Sequence, residues 1–278
     1  MSTHNTGILQ VSDAVTLHYE KRGSGPVLLL IPGGAADAGL YAGTAGDLAA
    51  AGYTVVAYDP RGLSRSTLDG PLTDQRVAEW ADDAHALLER HSPDEPAYVF
   101  GSSSGAIVAL DLLARYPERL RRVVAHEPPL LEVLEDPAPY RALFAEVRDV
   151  FRKEGAGAAM TRFAEGLGGQ REEAEAATEL APEIRDMAPR MHANLPVFLE
   201  HMLYPFATTP PDVEALRRAA ERLVLAVGRD SREQIPLSGP ATRLARLLGT
   251  DVAEFPGGHL GITEHPREFA QRLLAVLG

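Results

Sequence analysis

Short unbroken apolar runs alternate along the chain with longer segments whose apolar residues recur every three or four positions. The runs "VLLLI" (27–31), "YTVVAYD" (53–59), "AYVFG" (97–101) and "RRVVAHE" (121–127) read as strands buried on both faces, as in a parallel sheet. Upstream, "ILQV" and "VTLHYEKRG" alternate loosely about a turn at Ser12 and Asp13, which predicts two more strands. Helices are predicted near 41–50, over 74–91 with Val77, Trp80, Ala84, Leu87 and Leu88 on one face, and over 104–115. Strands and helices in this alternation predict βαβ units.

The alternation then stops. Residues 132–220 carry no convincing strand, only helical stretches rich in Ala, Glu and Arg and punctuated by proline. It resumes with "RLVLAVG" (222–228), a helix over 239–249, "DVAEFPG" (251–257) and a helix over 266–277. The expectation is an α/β fold, a mostly parallel sheet flanked by helices, with a helical cap inserted after the sixth strand. Core segments would span 1–131 and 213–278, and the insertion 132–212.

Composition narrows the chemistry. A chain of 278 residues with 45% hydrophobic and 24% charged positions can bury a large core. The net charge of −12 argues against nucleic acid or an anionic membrane as a partner. With no cysteine, disulfides, thiolate catalysis and Cys-bound metals are excluded. The first twenty residues show neither a basic start nor a continuous apolar stretch, and 27–31 is too short to cross a bilayer, so a cytoplasmic, membrane-free protein is expected. No HExxH, spaced His/Asp/Glu cluster, GxGxxG or P-loop occurs, so neither metal nor cofactor is expected. The expected partner is a small-molecule substrate, and the expected state a monomer or homodimer.

Between the 97–101 strand and the 104–115 helix lies "GSSSG". It fits G-x-S-x-G in one way only, with Ser103 at the centre. Such a turn is too tight for bulky neighbours and lifts the central hydroxyl above the sheet edge, at a helix N-terminus that favours negative charge. A serine becomes nucleophilic only beside a base, which in turn needs an acid to orient it. Both should follow later strand ends, acid first. Asp230 in "AVGRDS" and His259 in "FPGGHLG" stand in that order. An oxyanion hole needs backbone donors, expected from Ser104 after the nucleophile and from the loop "IPGGAADAG" (31–39), with Gly34 as the donor there. A binding protein with little turnover and an assembly scaffold are the readings from other classes, and the intact set of reactive residues argues against the first.

With these residues in place, the chain resembles the α/β-hydrolase superfamily from about residue 8 to its C-terminus. "YDPRGLSRS" (58–66) is similar to its D-x-R-G-x-G-x-S segment, with Ser64 in place of the second glycine, and "GGHLGITEHPREFAQRLLAVL" to its histidine loop and last helix. Pro32-Gly33 replaces the His-Gly that many members carry before the oxyanion residue. The resemblance implies Ser103 as nucleophile, His259 as base, Asp230 as acid, and Gly34 and Ser104 as oxyanion donors. The superfamily sometimes places the acid one strand earlier, where Glu127 stands. An aspartate in place of Ser103 would be needed for an epoxide hydrolase or a haloalkane dehalogenase.

The stretch "MHANLPVFLEHMLYPF" (191–206) is rich in Met, Phe and Leu. Helical spacing puts Met191, Leu195, Phe198, Leu199 and Met202 on one face, which makes them candidate pocket walls. The expected reaction is hydrolysis of a small or medium, mostly apolar ester or lactone through an acyl-enzyme. The same three residues could also serve C–C bond or thioester hydrolysis or cofactor-free perhydrolysis.

Overall fold

The computed structural model describes residues 4–167 and 182–278. Its centre is a sheet of nine strands: β1 (His4–Ser12), β2 (Val15–Arg22), β3 (Val27–Ile31), β4 (Thr54–Tyr58), the two-residue β5 (Thr67–Leu68), β6 (Ala97–Ser102), β7 (Leu120–His126), β8 (Leu223–Gly228) and β9 (Val252–Phe255). The order across it is β1-β2-β4-β3-β6-β7-β8-β9, with β5 beside β2. Pairing is parallel from β4 through β9, while β2 runs antiparallel to both β1 and β4.

Period-two geometry explains why the central runs are apolar throughout. Leu29 and Ile31 of β3 face one layer, with α2 (Val77–His91) and α3 (Ser104–Arg115). Leu28 and Leu30 face the other, with α1 (Ala42–Ala50) and the last helix (Pro266–Leu277). Each face needs its own apolar set, so no polar residue is left over for alternation.

Between β7 and β8 the described residues are helical: α4 (Ala138–Glu154), α5 (Ala156–Gly166), α6 (Pro182–Val197), α7 (Leu203–Ala207) and α8 (Val213–Arg218). This is the expected cap insertion, and its part from 168 to 181 lies outside the described residues. Because the short β5 precedes it, the insertion follows the seventh strand in chain order rather than the sixth. Two residues carry too little periodicity for β5 to be read from sequence.

The 191–206 stretch is not one uniform helix. The regular part carries Pro196 inside it and ends at Val197, and residues Phe198–Met202 form a wide π-turn before α7. Pro205 has no N–H to give the His201 carbonyl, and the backbone N–H of Gln75 bonds it instead at 2.8 Å. The extra residue of the π-turn rotates everything after it. Phe198 is therefore followed on its face by Leu203 and Phe206, while Leu199 and Met202 turn into the core, both fully buried. Leu199→Ala should accordingly lower unfolding free energy by about 2–5 kcal/mol in urea titration. Met191→Ala, at a position 39% exposed, should cost about 1 kcal/mol or less.

Candidate active site

The reactive turn is built by close approach. A side chain at Gly105 would lie 2.2 Å from the Ile31 carbonyl oxygen, and one at Gly101 would lie 2.3 Å from that of Gly105. With both glycines in place, β6 turns into α3 within one residue, and that residue is Ser103. Its backbone is left-handed, φ 54° and ψ −123°, a conformation that costs a non-glycine residue about 1–3 kcal/mol. The N–H of Ser103 is tied to the His126 carbonyl at 2.9 Å, and its own carbonyl accepts from Ala106 and Ile107. Its hydroxyl makes no cap on α3, and Ser103 lines the cavity described below.

His259 sits between β9 and a short helix (Gly261–Glu264), on a loop pinned by the Asp230 N–H to the Gly257 carbonyl at 3.0 Å. Its Nδ1 lies 2.7 Å from Oε2 of Glu127. Glu127 is wholly buried and directly follows β7, with a left-handed φ of 48° that turns its side chain toward the histidine. The second oxygen, Oε1, accepts from the Gly228 N–H at 2.8 Å and from the Ser231 hydroxyl. Burial alone would raise this carboxyl's pKa. Hydrogen bonds from His259 and Ser231 and the nearby imidazoles outweigh burial and hold it down to about 2. Glu127 is therefore ionised across the neutral range.

Asp230 is not brought to His259. Its side chain is 58% exposed and lies against Arg229 at 3.3 Å. The loop after β8 instead contributes its next residue, Ser231, as a donor to Glu127. The carboxylate that meets His259 thus stands at the end of β7, the earlier of the two sites that the sequence offered. One signal was available: Glu127 ends a buried apolar run, whereas Asp230 sits beside an arginine in a polar loop.

The loop after β3 crosses Ser103 closely. A Cβ on Gly33 would lie 2.7 Å from that of Ser103. Gly34 takes a φ of 59°, and its N–H donates to the Ser104 hydroxyl at 2.8 Å, so this expected oxyanion donor has a partner already. Ser103, Ser104 and His259 line a cavity of about 310 Å³, within the usual range for small-molecule sites. Its far walls come from the insertion and include Phe144, Met160, Phe163, Phe198, Leu203 and Phe206. Of the five expected wall residues, Met191, Leu195 and Phe198 line the cavity, and Leu199 and Met202 do not. Among the described residues, no Asp, Glu, Lys or Arg side chain lines it.

Asp59 and Arg61 are tied to other groups. Buried Asp59 accepts from the Ala38 N–H and from Arg65, and Arg61 forms a two-pronged pair with Asp83. His126 packs among Phe100, Phe255 and Phe269, with no hydrogen-bond partner for either ring nitrogen among the described residues. Burial pushes its pKa down to about 4. An unfolded histidine takes up its proton near pH 6.5. Acidification from there toward pH 4 thus favours the unfolded chain, and the Glu127 contribution is lost next, between its unfolded value and about 2. His126→Phe should flatten the loss of stability between pH 7 and 5 in urea titrations. An unchanged slope would assign that loss elsewhere, with His91, also lowered to about 4 by burial, as the first alternative.

A family model for the alpha/beta hydrolase fold matches residues 26–166. The chain is 37% identical over 281 residues to the uncharacterized hydrolase YraK of Bacillus subtilis (strain 168), covering 99% of this chain and 97% of that one. It is 29% identical over 284 residues to a zearalenone hydrolase of Bionectria ochroleuca, covering 98% and 96%. Among solved structures, a thermophilic esterase from Thermogutta terrifontis superposes with a TM-score of 0.74 at 20% identity, covering 99% and 98%. The chain belongs to the alpha/beta hydrolase fold family.

Proposed function

We propose that the protein is a serine hydrolase that cleaves a small or medium, mostly apolar, uncharged carboxylic ester or lactone through an acyl-enzyme. The observation that carries this reading is that Ser103, on a strained turn, and His259, paired through Nδ1 with Glu127, line the same apolar cavity. Ser103 Oγ attacks the carbonyl carbon while His259 Nε2 takes its proton. The Glu127 carboxylate fixes Nδ1–H and offsets the positive charge that forms on the ring. The carbonyl oxygen becomes an oxyanion held by the Ser104 amide at the start of α3 and by the loop after β3, where the Gly34 N–H must exchange its bond to the Ser104 hydroxyl for one to the oxyanion. His259 then protonates the leaving alcohol, and a water molecule activated by the same ring releases the acid.

The walls set the substrate class. With no charged side chain among the described residues that line the cavity, a charged substrate would lose its hydration without a partner there, whereas an apolar one gains about 25 cal/mol per Å² buried. One relative is named for hydrolysing zearalenone, which makes that compound a substrate to include. The test is hydrolysis of a series of p-nitrophenyl esters and zearalenone, with choline and amino-acid esters as charged comparators. Preference for the apolar members supports the reading. Equal rates for charged esters would contradict it.

A further inference from the structure

Helix α6 of the insertion carries two adjoining stripes. Met191 and Leu195, one turn apart, line the cavity. Met187, Arg190 and Asn194, spaced three and four residues apart on the neighbouring face, pack instead on the loop of residues 32–41 that passes over Ser103.

The contacts of this second stripe are specific. Asn194 is 5% exposed and uses its whole amide. Its Nδ2 donates to the Ala35 carbonyl at 2.8 Å and to the Ser64 hydroxyl at 2.9 Å, and its Oδ1 accepts from the Ser64 N–H at 2.9 Å. Ala35 lies inside the turn closed by the Ala36 N–H to the Gly33 carbonyl, the turn that contains Gly34. Ser64 is one of three described non-glycine residues with positive φ, and the other two are Ser103 and Glu127. Four residues before Asn194 on the helix, Arg190 grips the fully buried Asp37 with two bonds, Nε to Oδ2 at 2.5 Å and Nη2 to Oδ1 at 3.1 Å. Asp37 in turn accepts from the Gly39 N–H at 2.9 Å. The same loop is held from below, where Asp59 accepts from the Ala38 N–H.

Resting on the serine-hydrolase reading above, we propose that Asn194 and Arg190 are positioning residues for the oxyanion loop, so that the helical insertion sets the geometry of the transition-state site as well as the walls of the pocket. The loop has no bulky apolar anchor at Gly33 or Gly34. Two of its anchors, the Ala35 carbonyl and the Asp37 carboxylate, are held by α6. A carbonyl freed from Asn194 would be buried without a donor, a cost that rotation of the loop away from Ser103 relieves. Because Met191, Leu195, Arg190 and Asn194 all project from α6, a substrate pressing on the first two and an oxyanion forming at the loop act on the same helix.

The test uses Asn194→Ala and Asn194→Ser in the full chain, with kcat and KM on an apolar p-nitrophenyl ester and inhibition by an apolar trifluoromethyl ketone. That inhibitor adds to an active serine and places an oxyanion in the hole. Removing one oxyanion donor outright costs about 100- to 1000-fold in kcat, so loss of a support should cost about 10- to 100-fold. KM should stay within about threefold, and trifluoromethyl ketone affinity should fall in step with kcat. A rise in KM at unchanged kcat would make Asn194 a pocket wall only and overturn the proposal. So would a loss of active fraction with kcat per fluorophosphonate-labelled Ser103 intact, which is what a purely structural role predicts. If neither Asn194 variant folds, Arg190→Gln carries the same readout. Failure of the wild type to label at Ser103 would sink the hydrolase reading itself, a separate result from a labelled variant with normal kcat.

Discussion

Ser103→Ala is expected to lower kcat/KM for the best apolar ester by about 10,000-fold or more while the fold is retained. Removing a nucleophilic serine from a comparable three-residue set costs on the order of a million-fold in kcat, with the remaining catalysis coming from binding and the oxyanion donors. The substitution deletes one oxygen and leaves the left-handed backbone at this position no more strained than before, since alanine and serine both carry a Cβ. The unfolding midpoint should therefore move little. Retention of a tenth of the wild-type rate would mean that Ser103 is not the attacking group, and Ser102 and Ser104, which line the same cavity, would be examined next.

The second large effect separates two carboxylates. Glu127→Gln preserves the side-chain volume, and its carbonyl oxygen can still accept from the Gly228 N–H. Its amide then faces Nδ1 of His259 as a donor. The imidazole answers by placing its own proton on Nε2, the nitrogen that must accept the serine proton. Loss of the correct tautomer at an equivalent position costs about 10,000-fold in kcat, and a fall of about 1,000- to 10,000-fold is expected here at pH 7. Asp230→Asn should stay within about threefold, because that side chain is exposed and pairs with Arg229 rather than with His259. The reverse ranking would reinstate the loop after β8 as the source of the acid.

The two carboxylates also show where sequence reading stops. Strands 27–31 and the helices 104–115 and 266–277 have the same bounds in the structure as their patterns predict, because local periodicity determines each of them. The turn at Ser103 was equally legible, since only glycines tolerate the close approaches at 101 and 105. The choice of acid was not. β7 and β8 are adjacent parallel strands, so Glu127 and Asp230 leave neighbouring strand ends, and order along the chain favours neither. What decides it is three-dimensional: the left-handed turn at Glu127, the Gly228 amide and the Ser231 hydroxyl aimed at its second oxygen. The cavity wall failed for a different reason. Met, Phe and Leu occur at so many positions of 191–206 that a helix and a helix with a π-turn present equally apolar faces, and one inserted residue exchanges Leu199 and Met202 for Leu203 and Phe206.

Among the described residues, the three positive-φ positions outside glycine are Ser64, Ser103 and Glu127, all at the candidate site or against the loop after β3. Each is over-determined by its hydrogen bonds. Ser64 is held by Asn194, Ser103 by the His126 carbonyl, and Glu127 by the Ala226 carbonyl through its own N–H. Strain that persists in this way marks positions where side-chain direction matters more than local stability.

The central claim, an activated serine at 103, is met most directly by intact-mass analysis and peptide mapping after reaction with an apolar fluorophosphonate. The account predicts one adduct per chain, carried by the peptide containing Ser103 and absent from Ser103→Ala. A folded wild-type protein that takes up no label, or takes it up at another residue, would contradict it.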